Sequence, residues 1–453
     1  MYVTRVQLTG IKGFSGKRAM DVKLPARGGW TVLAGRNGSG KSTLLQALAL
    51  ALSGPAVARS LVSDSGDWIS AGSPSGHVDV RVQPDTDADS FVGKGRTPKH
   101  DFSLRMQWDR PAPEAGEQLR APGTLQPPTM EMQGLVGEES AARGPWAQNP
   151  RGWFCAGYGP FRRLTGGSSE AQRIMRVQGP TGRMATLFHE DASLAEGVSW
   201  LIDLRLRSLE TRGSTAGPLL EKVLALLQDG LLPDQYQIRG VTADGLWVAE
   251  EGRKDRFPLR EMSDGYRAVA ALVLDMVRQI YAVYGQLETA TAGSSPVAVL
   301  APGVVLIDEV DAHLHVIWQR KIGVWLREHF PHIQFIVSSH SPYICQAADE
   351  GGLIRLPGPD EQRPPAVVDE DLYRRVVYGS SDDAVLSELF GLETPYSRRA
   401  EEQRKRLVAL ERKVYAQSAT REEIAEYQEL SRLLTSSVQS RVAEVAARLE
   451  QDR

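Results

Sequence analysis

Apolar and polar residues alternate over residues 2–9 (YVTRVQLT), and a shorter version of the pattern spans 19–24. A period of two predicts strands with one buried face. Residues 30–34 (WTVLA) are apolar without a break, and 41–53 (KSTLLQALALALS) are good helix formers. Strand, glycine-rich turn and helix thus follow one another within about 25 residues.

Residues 54–150 read differently. Gly, Pro, Ser and Asp are frequent, and only 77–83 (HVDVRVQ) and 102–108 (FSLRMQW) look like strands. This predicts a small antiparallel sheet with long surface loops, a variable insertion without chemistry, and disorder in part of 109–150. Order resumes with a strand at 153–159. Helical periodicity follows at 194–209 and 217–229, strands at 235–241 and 245–250, and a helix over about 265–284. Residues 285–297 read as a surface loop. The runs 304–310 (VVLIDEV) and 333–340 (IQFIVSSH) suit a parallel sheet covered on both faces. A helix over about 316–329 joins them. From about 367 the chain is helical and charged. Leu407, Leu410 and Val414 share one face, and Ile424, Tyr427 and Leu430 another. These predict two amphipathic helices joined at 418–421, with Thr420 capping with Glu423. Residues 396–453 hold 12 basic and 10 acidic residues, so this tail is nearly neutral. It can pack on the core, form a helical hairpin or hold a partner.

Length and charge narrow the class. The 453 residues make about three domains' worth of chain. Lys and Arg number 53 against 56 Asp and Glu, a net charge of -3, which excludes a broadly basic nucleic-acid coat but not a local basic patch. Cys155 and Cys345 make no disulfide framework, and no Cys/His cluster has zinc-finger spacing. That fits a reducing interior. The N-terminus lacks a basic region followed by a long apolar run, and the stretches near 268–276 and 296–307 are too short to span a bilayer. The expected location is the cytoplasm, with no membrane partner.

The chemistry lies at three strand ends. Gly35, Arg36, Asn37, Gly38, Ser39, Gly40, Lys41, Ser42 and Thr43 fit G-x-x-x-x-G-K-S/T completely, between a strand and a helix as the motif requires. Glycines let the backbone curl round a phosphate and aim several N–H groups inward, and the helix start adds its dipole. Lys41 is expected to reach the β- and γ-phosphates of ATP, and Ser42 to ligate Mg²⁺. The strand at 304–307 ends in Asp308 and Glu309. Acids there are costly unless paired, and a metal ion is the natural partner. Asp308 is expected to hold Mg²⁺ and Glu309 to deprotonate the attacking water. His340 ends a third strand, and in an open parallel sheet such ends converge on one crevice. A neutral imidazole donates and accepts at once, so His340 can sense a terminal phosphate.

Together these elements resemble the ABC-type ATPases of the SMC, Rad50 and RecF group, and more narrowly the compact ATPases related to the OLD family, including those of bacterial anti-phage systems such as Septu. Residues 261–267 (EMSDGYR) look like the signature motif, with MSDG where the family often has LSxG. Asp311 falls at the family's D-loop aspartate, and Ser338-Ser339-His340-Ser341-Pro342 at its histidine switch. The fold implied is α/β: a P-loop head of ABC-ATPase type with a mixed sheet core, an antiparallel subdomain and a helical C-terminal tail. Its divisions would be 1–55 with the Walker A loop, 56–150 as insertion, 151–355 as the rest of the head, and 356–453 as a partner-binding region. By resemblance, Ser263 and Gly265 face the phosphate loop of another copy, so that ATP is sandwiched in a homodimer. Their N–H groups at a helix start form a second anion site.

The sequence also departs from the family. No glutamine reads as a Q-loop. Residues 157–163 (GYGPFRR) stand where the lobes meet, and Arg162 and Arg163 read either as approaching phosphate or nucleic acid, or as surface arginines. No heptad arm separates the Walker A and signature motifs, and no toprim-like acid cluster follows residue 340. The leading expectation is an ATPase that dimerises around ATP and controls an effector, a nuclease, in anti-phage defence. The alternatives are a RecF-like repair ATPase acting on DNA and a scaffold ordered by ATP. A transporter ATPase is the poorest fit.

Overall fold

The computed structural model describes residues 1–434 except 63–66, 96–97, 99, 111–130, 135–138, 164–167, 178, 211–213, 233–234, 254, 291–295 and 393. The expected disorder within 109–150 falls largely outside these. The strands are β1 (Tyr2–Thr9), β2 (Met20–Lys23), β3 (Gly29–Ala34), β4 (Ser75–Gln83), β5 (Phe102–Asp109), β6 (Glu131–Gly134), β7 (Cys155–Tyr158), β8 (Tyr236–Thr242), β9 (Gly245–Glu250), β10 (Arg256–Pro258), β11 (Thr289–Ala290), β12 (Ala298–Val299), β13 (Gly303–Ile307), β14 (Ile333–Ser339), β15 (Leu353–Arg355) and β16 (Ala366–Val367). The helices are α1 (Lys41–Ser53), α2 (Pro55–Leu61), α3 (Glu139–Arg143), α4 (Ser169–Arg176), α5 (Pro180–Phe188), α6 (Ala195–Glu210), α7 (Ala216–Gln228), α8 (Asp264–Tyr284), α9 (Val316–His329), α10 (Pro342–Cys345), α11 (Glu370–Val377), α12 (Ser381–Val385), α13 (Arg398–Tyr415) and α14 (Arg421–Leu433).

The central sheet has the order β16-β15-β3-β14-β13-β7 and is parallel except for β16. Its unbroken apolar runs are explained by two cores, one on each face. Val305, Ile307, Phe335 and Val337 enter one, and Val304, Leu306 and Ile336 the other. Alternate side chains of each strand thus find separate apolar layers. Helix α1 lies in the second core, where Leu44, Leu45 and Ala47 through Leu52 are all buried. A helix apolar all round belongs in an interior, and this one packs against both the central sheet and an antiparallel one.

That antiparallel sheet has the order β2-β1-β4-β5-β6. The strands at 77–83 and 102–108 do not form a sheet of their own, because β4 pairs with β1 along its length. The reason is the alternation already present in β1, whose Val3, Val6 and Leu8 cover the same core as Val78, Val80 and Val82. The buried Gln334 of β14 ties the two sheets: its Oε1 accepts from the Val3 N–H at 2.7 Å, and its Nε2 donates to the Val3 and Pro25 carbonyls at 2.9 Å. A smaller antiparallel sheet, β10-β9-β8, leads into α8. The stretch read as a loop over 285–297 instead opens a short antiparallel pairing, β11 with β12.

Contacts divide the chain into two compact units, residues 1–390 and 391–453. In the second, α13 and α14 form a hairpin. Thr420 and Glu423 make the expected reciprocal cap, and Arg406–Glu426 and Lys413–Glu423 pair across the helices. Among the described residues, no helix is long and apolar enough to cross a membrane.

Candidate functional site

Register places the chemistry. Ile307 stands opposite both Tyr158 and Val337, and Ala34 opposite Ser339. All four strands run the same way, so Gly35, Gly159, Asp308 and His340 leave the sheet along one edge. This is the crevice expected of an open parallel sheet.

The glycine-rich loop is tightly built. Gly38 and Gly40 adopt positive φ, 76° and 99°, and Gly40 caps α1. At Gly40 any Cβ would strike the Phe14 ring at 2.8 Å, and at Gly35 it would strike the Leu356 carbonyl at 2.4 Å. Only glycine allows this approach. Lys41 is buried, and its Nζ folds back onto the Gly35 and Arg36 carbonyls at 2.9 and 3.3 Å. Burial lowers its pKa, against the upward pull of Asp308, Glu309 and Asp311. Ser39 is buried with an unpartnered Oγ. The loop therefore offers a cation and spare polar groups to an anion.

Strand β13 ends at Ile307, earlier than the apolar run suggested. The next residues form a turn in which Glu309 has φ 44° and His313 φ 64°. Ser338 holds this turn. Its hydroxyl donates to Asp308 Oδ1 and accepts from the Glu309 N–H at 2.8 Å, while its carbonyl accepts from Val310 at 3.0 Å. Burial first, then Asp308 and Asp311, raises the Glu309 pKa. Burial first, then the Lys41 charge, lowers that of His340 and favours neutral imidazole. Lys41, Asp308, Glu309, Asp311 and His340 thus form one electrostatic group.

The chemistry of this edge suits a divalent cation: Asp308 and Ser42 would be the two oxygen donors, and Mg²⁺ is commonly held by one or two carboxylates with substrate phosphates and water supplying the rest. Among the described residues, no group of three His, Cys, Asp or Glu could form an all-protein cage. One Asp311 oxygen is buried without a partner.

The signature residues lie elsewhere. Ser263 precedes α8, and its side chain makes no capping bond. Ser263, Gly265 and Tyr266 share a cavity of about 540 Å³ with His313, His315 and Trp318. A Cβ at Gly265 would strike the His313 carbonyl at 2.5 Å, so the helix start rests directly on the turn after the acids. No residue of the phosphate loop lines this cavity. Further along α8, Asp275 accepts from the Tyr158 hydroxyl at 3.0 Å and pairs with Arg278, and at its end Tyr284 donates to the Pro302 carbonyl at 2.7 Å.

One reading of the sequence changes here, that of Arg162. Arg162 neither approaches phosphate nor lies on the surface: it is buried behind the acidic turn and bonded to backbone carbonyls. Arg163 is exposed and lies over the Phe161 ring at 5.3 Å. Sequence reasoning also left Ser338 and Arg18 without roles. A serine two residues before the switch histidine was the available signal for the first. The second had none, since besides the nearby Gly13 its guanidinium reaches carbonyls of Pro357, Gly358 and Glu361 that are distant in sequence.

Known proteins give the same reading. Residues 174–346 match the family model described as "AAA domain, putative AbiEii toxin, Type IV TA system", and residues 5–97 match a second, "AAA domain". The Retron Ec83 probable ATPase of Escherichia coli is 36% identical over 89 residues, 20% of this chain and 15% of that protein. The Septu protein PtuA of Bacillus mycoides is 23% identical over 323 residues, 71% of this chain and 35% of that protein. The chain thus spans well under two thirds of these relatives' lengths. A crystal structure of an SMC head bound to the C-terminal winged-helix domain of ScpA superposes with a TM-score of 0.45 at 15% identity, covering 81% of this chain and 98% of that one. By its motifs and the two family-model matches, the chain carries AAA-type P-loop nucleotide-binding sequence and is similar in part to Septu PtuA and to the retron probable ATPases.

Proposed function

We propose that the chain binds and hydrolyses Mg·ATP, that two copies close around the nucleotide, and that this cycle controls an effector, a nuclease, in anti-phage defence. The observation that carries the reading is the convergence of Lys41, Asp308, Glu309 and His340 on one sheet edge, with Ser263 and Gly265 lining a separate cavity. In this reading the loop from Gly35 to Thr43, including Arg36, Asn37 and Ser39, cradles the phosphates, and Lys41 reaches the terminal ones. Ser42 and Asp308 would hold Mg²⁺, which would neutralise charge developing on the phosphates. Glu309 takes the proton of the attacking water, as its raised pKa suits. His340 donates to the terminal phosphate, and Asp311 stands beside it. Ser263 and Gly265 of a second copy complete the site, because one chain presents its signature cavity away from its own phosphate loop. The defence setting is supported by the likeness to Septu and retron proteins, and the effector contact is assigned to the α13–α14 hairpin, which belongs to a compact unit of its own.

The test is the solution mass of Glu309→Gln with and without Mg·ATP. A variant that binds ATP and doubles in mass supports closure. A monomer that binds ATP without any rise in mass rules out the shared site, and a chain that binds no nucleotide rules out the ATPase reading.

A further inference from the structure

We propose that Arg162 is a positioning residue for hydrolysis, holding the turn that aims Glu309. The assignment rests on the ATPase reading above. Arg162 is 4% exposed and follows β7, the strand hydrogen-bonded to β13. Its guanidinium donates to the carbonyls of Gly159 (2.9 Å), Asp308 (3.1 Å), Glu309 (3.2 Å), Val310 (3.2 Å) and Ala312 (3.5 Å). Four of these five acceptors belong to the acidic turn. A planar fork of N–H donors fits such a cluster, whereas an ammonium group has three donors around a point.

The turn needs this support. Glu309 and His313 are not glycine, yet both sit at positive φ. Such conformations persist only where the surroundings over-determine them. The direction of the Glu309 carboxylate follows from its backbone, and that backbone is held by Ser338 on one side and Arg162 on the other. The phosphate loop, by contrast, hangs on β3 and α1 and makes none of these bonds. Loss of the guanidinium therefore lets the acids move while the phosphate loop keeps its shape. Charge acts in the same sense. Burial pushes the Arg162 pKa down to about 10, with Asp311, Asp308 and Glu309 opposing the fall, so the group remains cationic at neutral pH behind three acids.

The experiment uses the full chain with Arg162→Lys, Arg162→Ala and, as control, Arg163→Ala. Steady-state turnover of Mg·ATP, nucleotide affinity and rescue by guanidinium chloride are measured. We expect kcat to fall about 100-fold in both Arg162 variants, as for a small misplacement of a reacting group. Affinity should stay within about threefold, and Arg163→Ala should match the wild type. Guanidinium should restore part of the Arg162→Ala rate and none of the Glu309→Gln rate. Folded Arg162 variants that keep wild-type kcat overturn the assignment, as does a loss confined to affinity. If neither variant folds, the arginine is structural and the assignment is again overturned. A wild-type chain without turnover defeats the ATPase reading itself, whereas wild-type turnover with active Arg162 variants defeats only this inference.

Discussion

The backbone N–H of Glu309 donates to the hydroxyl of Ser338 at 2.8 Å, across the seam between β13 and β14. The same hydroxyl donates to Asp308, so one buried side chain orients both acids. Ser338→Ala removes both bonds and leaves a part-buried N–H without its partner. A lost buried partner costs about 1–3 kcal/mol. We expect lower thermal stability and a kcat reduced roughly tenfold, with nucleotide affinity kept. A melting curve beside steady-state kinetics checks this, and an unchanged kcat would show that the turn holds without Ser338.

Turnover should depend on pH mainly from the acid side. In the proposed mechanism Glu309 works as carboxylate, with its pKa raised above 4.5, and His340 as neutral imidazole, with its pKa lowered below 6.5. Both lose the working form as pH falls. On the alkaline side, loss comes from Lys41, which burial lowers from 10.5. A pH profile of kcat should therefore show a plateau with its main fall below neutrality. Stability has its own sign. The folded Glu309 pKa lies above the unfolded value, so the protonated form is favoured on folding and stability falls as pH rises from 4.5 through the raised value. Glu309→Gln should accordingly raise Tm at pH 7. A lower Tm there would mean that the carboxylate is better held than burial allows.

Arg18 is an unassuming member of the phosphate loop's support. It is buried, and its guanidinium joins the Ser39 carbonyl to those of Pro357, Gly358 and Glu361. Arg18→Met leaves several carbonyls without donors, and we expect a loss of about 2–4 kcal/mol in urea unfolding. Nucleotide affinity should fall with it, since the segment from Leu356 lies against Gly35. Calorimetric titration with ATP analogues measures the second effect. Full affinity in a folded variant would separate the brace from the loop.

The regular elements were readable because burial on both sheet faces leaves long apolar runs, as at Val304 through Ile307, and because helix caps such as Thr420 with Glu423 are local. The phosphate loop was readable because its glycines are required by its path. What escaped depends on distance in sequence. The pairing of β4 with β1 joins residues more than 60 apart, and an alternating strand does not name its neighbour. Arginine is read as a surface residue by default, so the burial of Arg162 behind Asp308 through Ala312, about 150 residues on, left no signal. The left-handed turn at Glu309 was hidden for a related reason: nothing in Asp308-Glu309-Val310 announces positive φ.

Helix α8 meets the segment around β13 at both ends, Gly265 on the His313 carbonyl and Tyr284 on Pro302, and is braced midway by Asp275 against Tyr158. At 21 residues it is roughly 30 Å long. Helix and strand therefore behave as a strut and its rail. A partner that seizes the tip at Ser263 cannot bend the helix locally; it must carry the acidic turn along. In the proposed dimer, the face at Ser263 and the edge at Asp308 would thus be geared together, so that contact at one would be read at the other without a dedicated messenger.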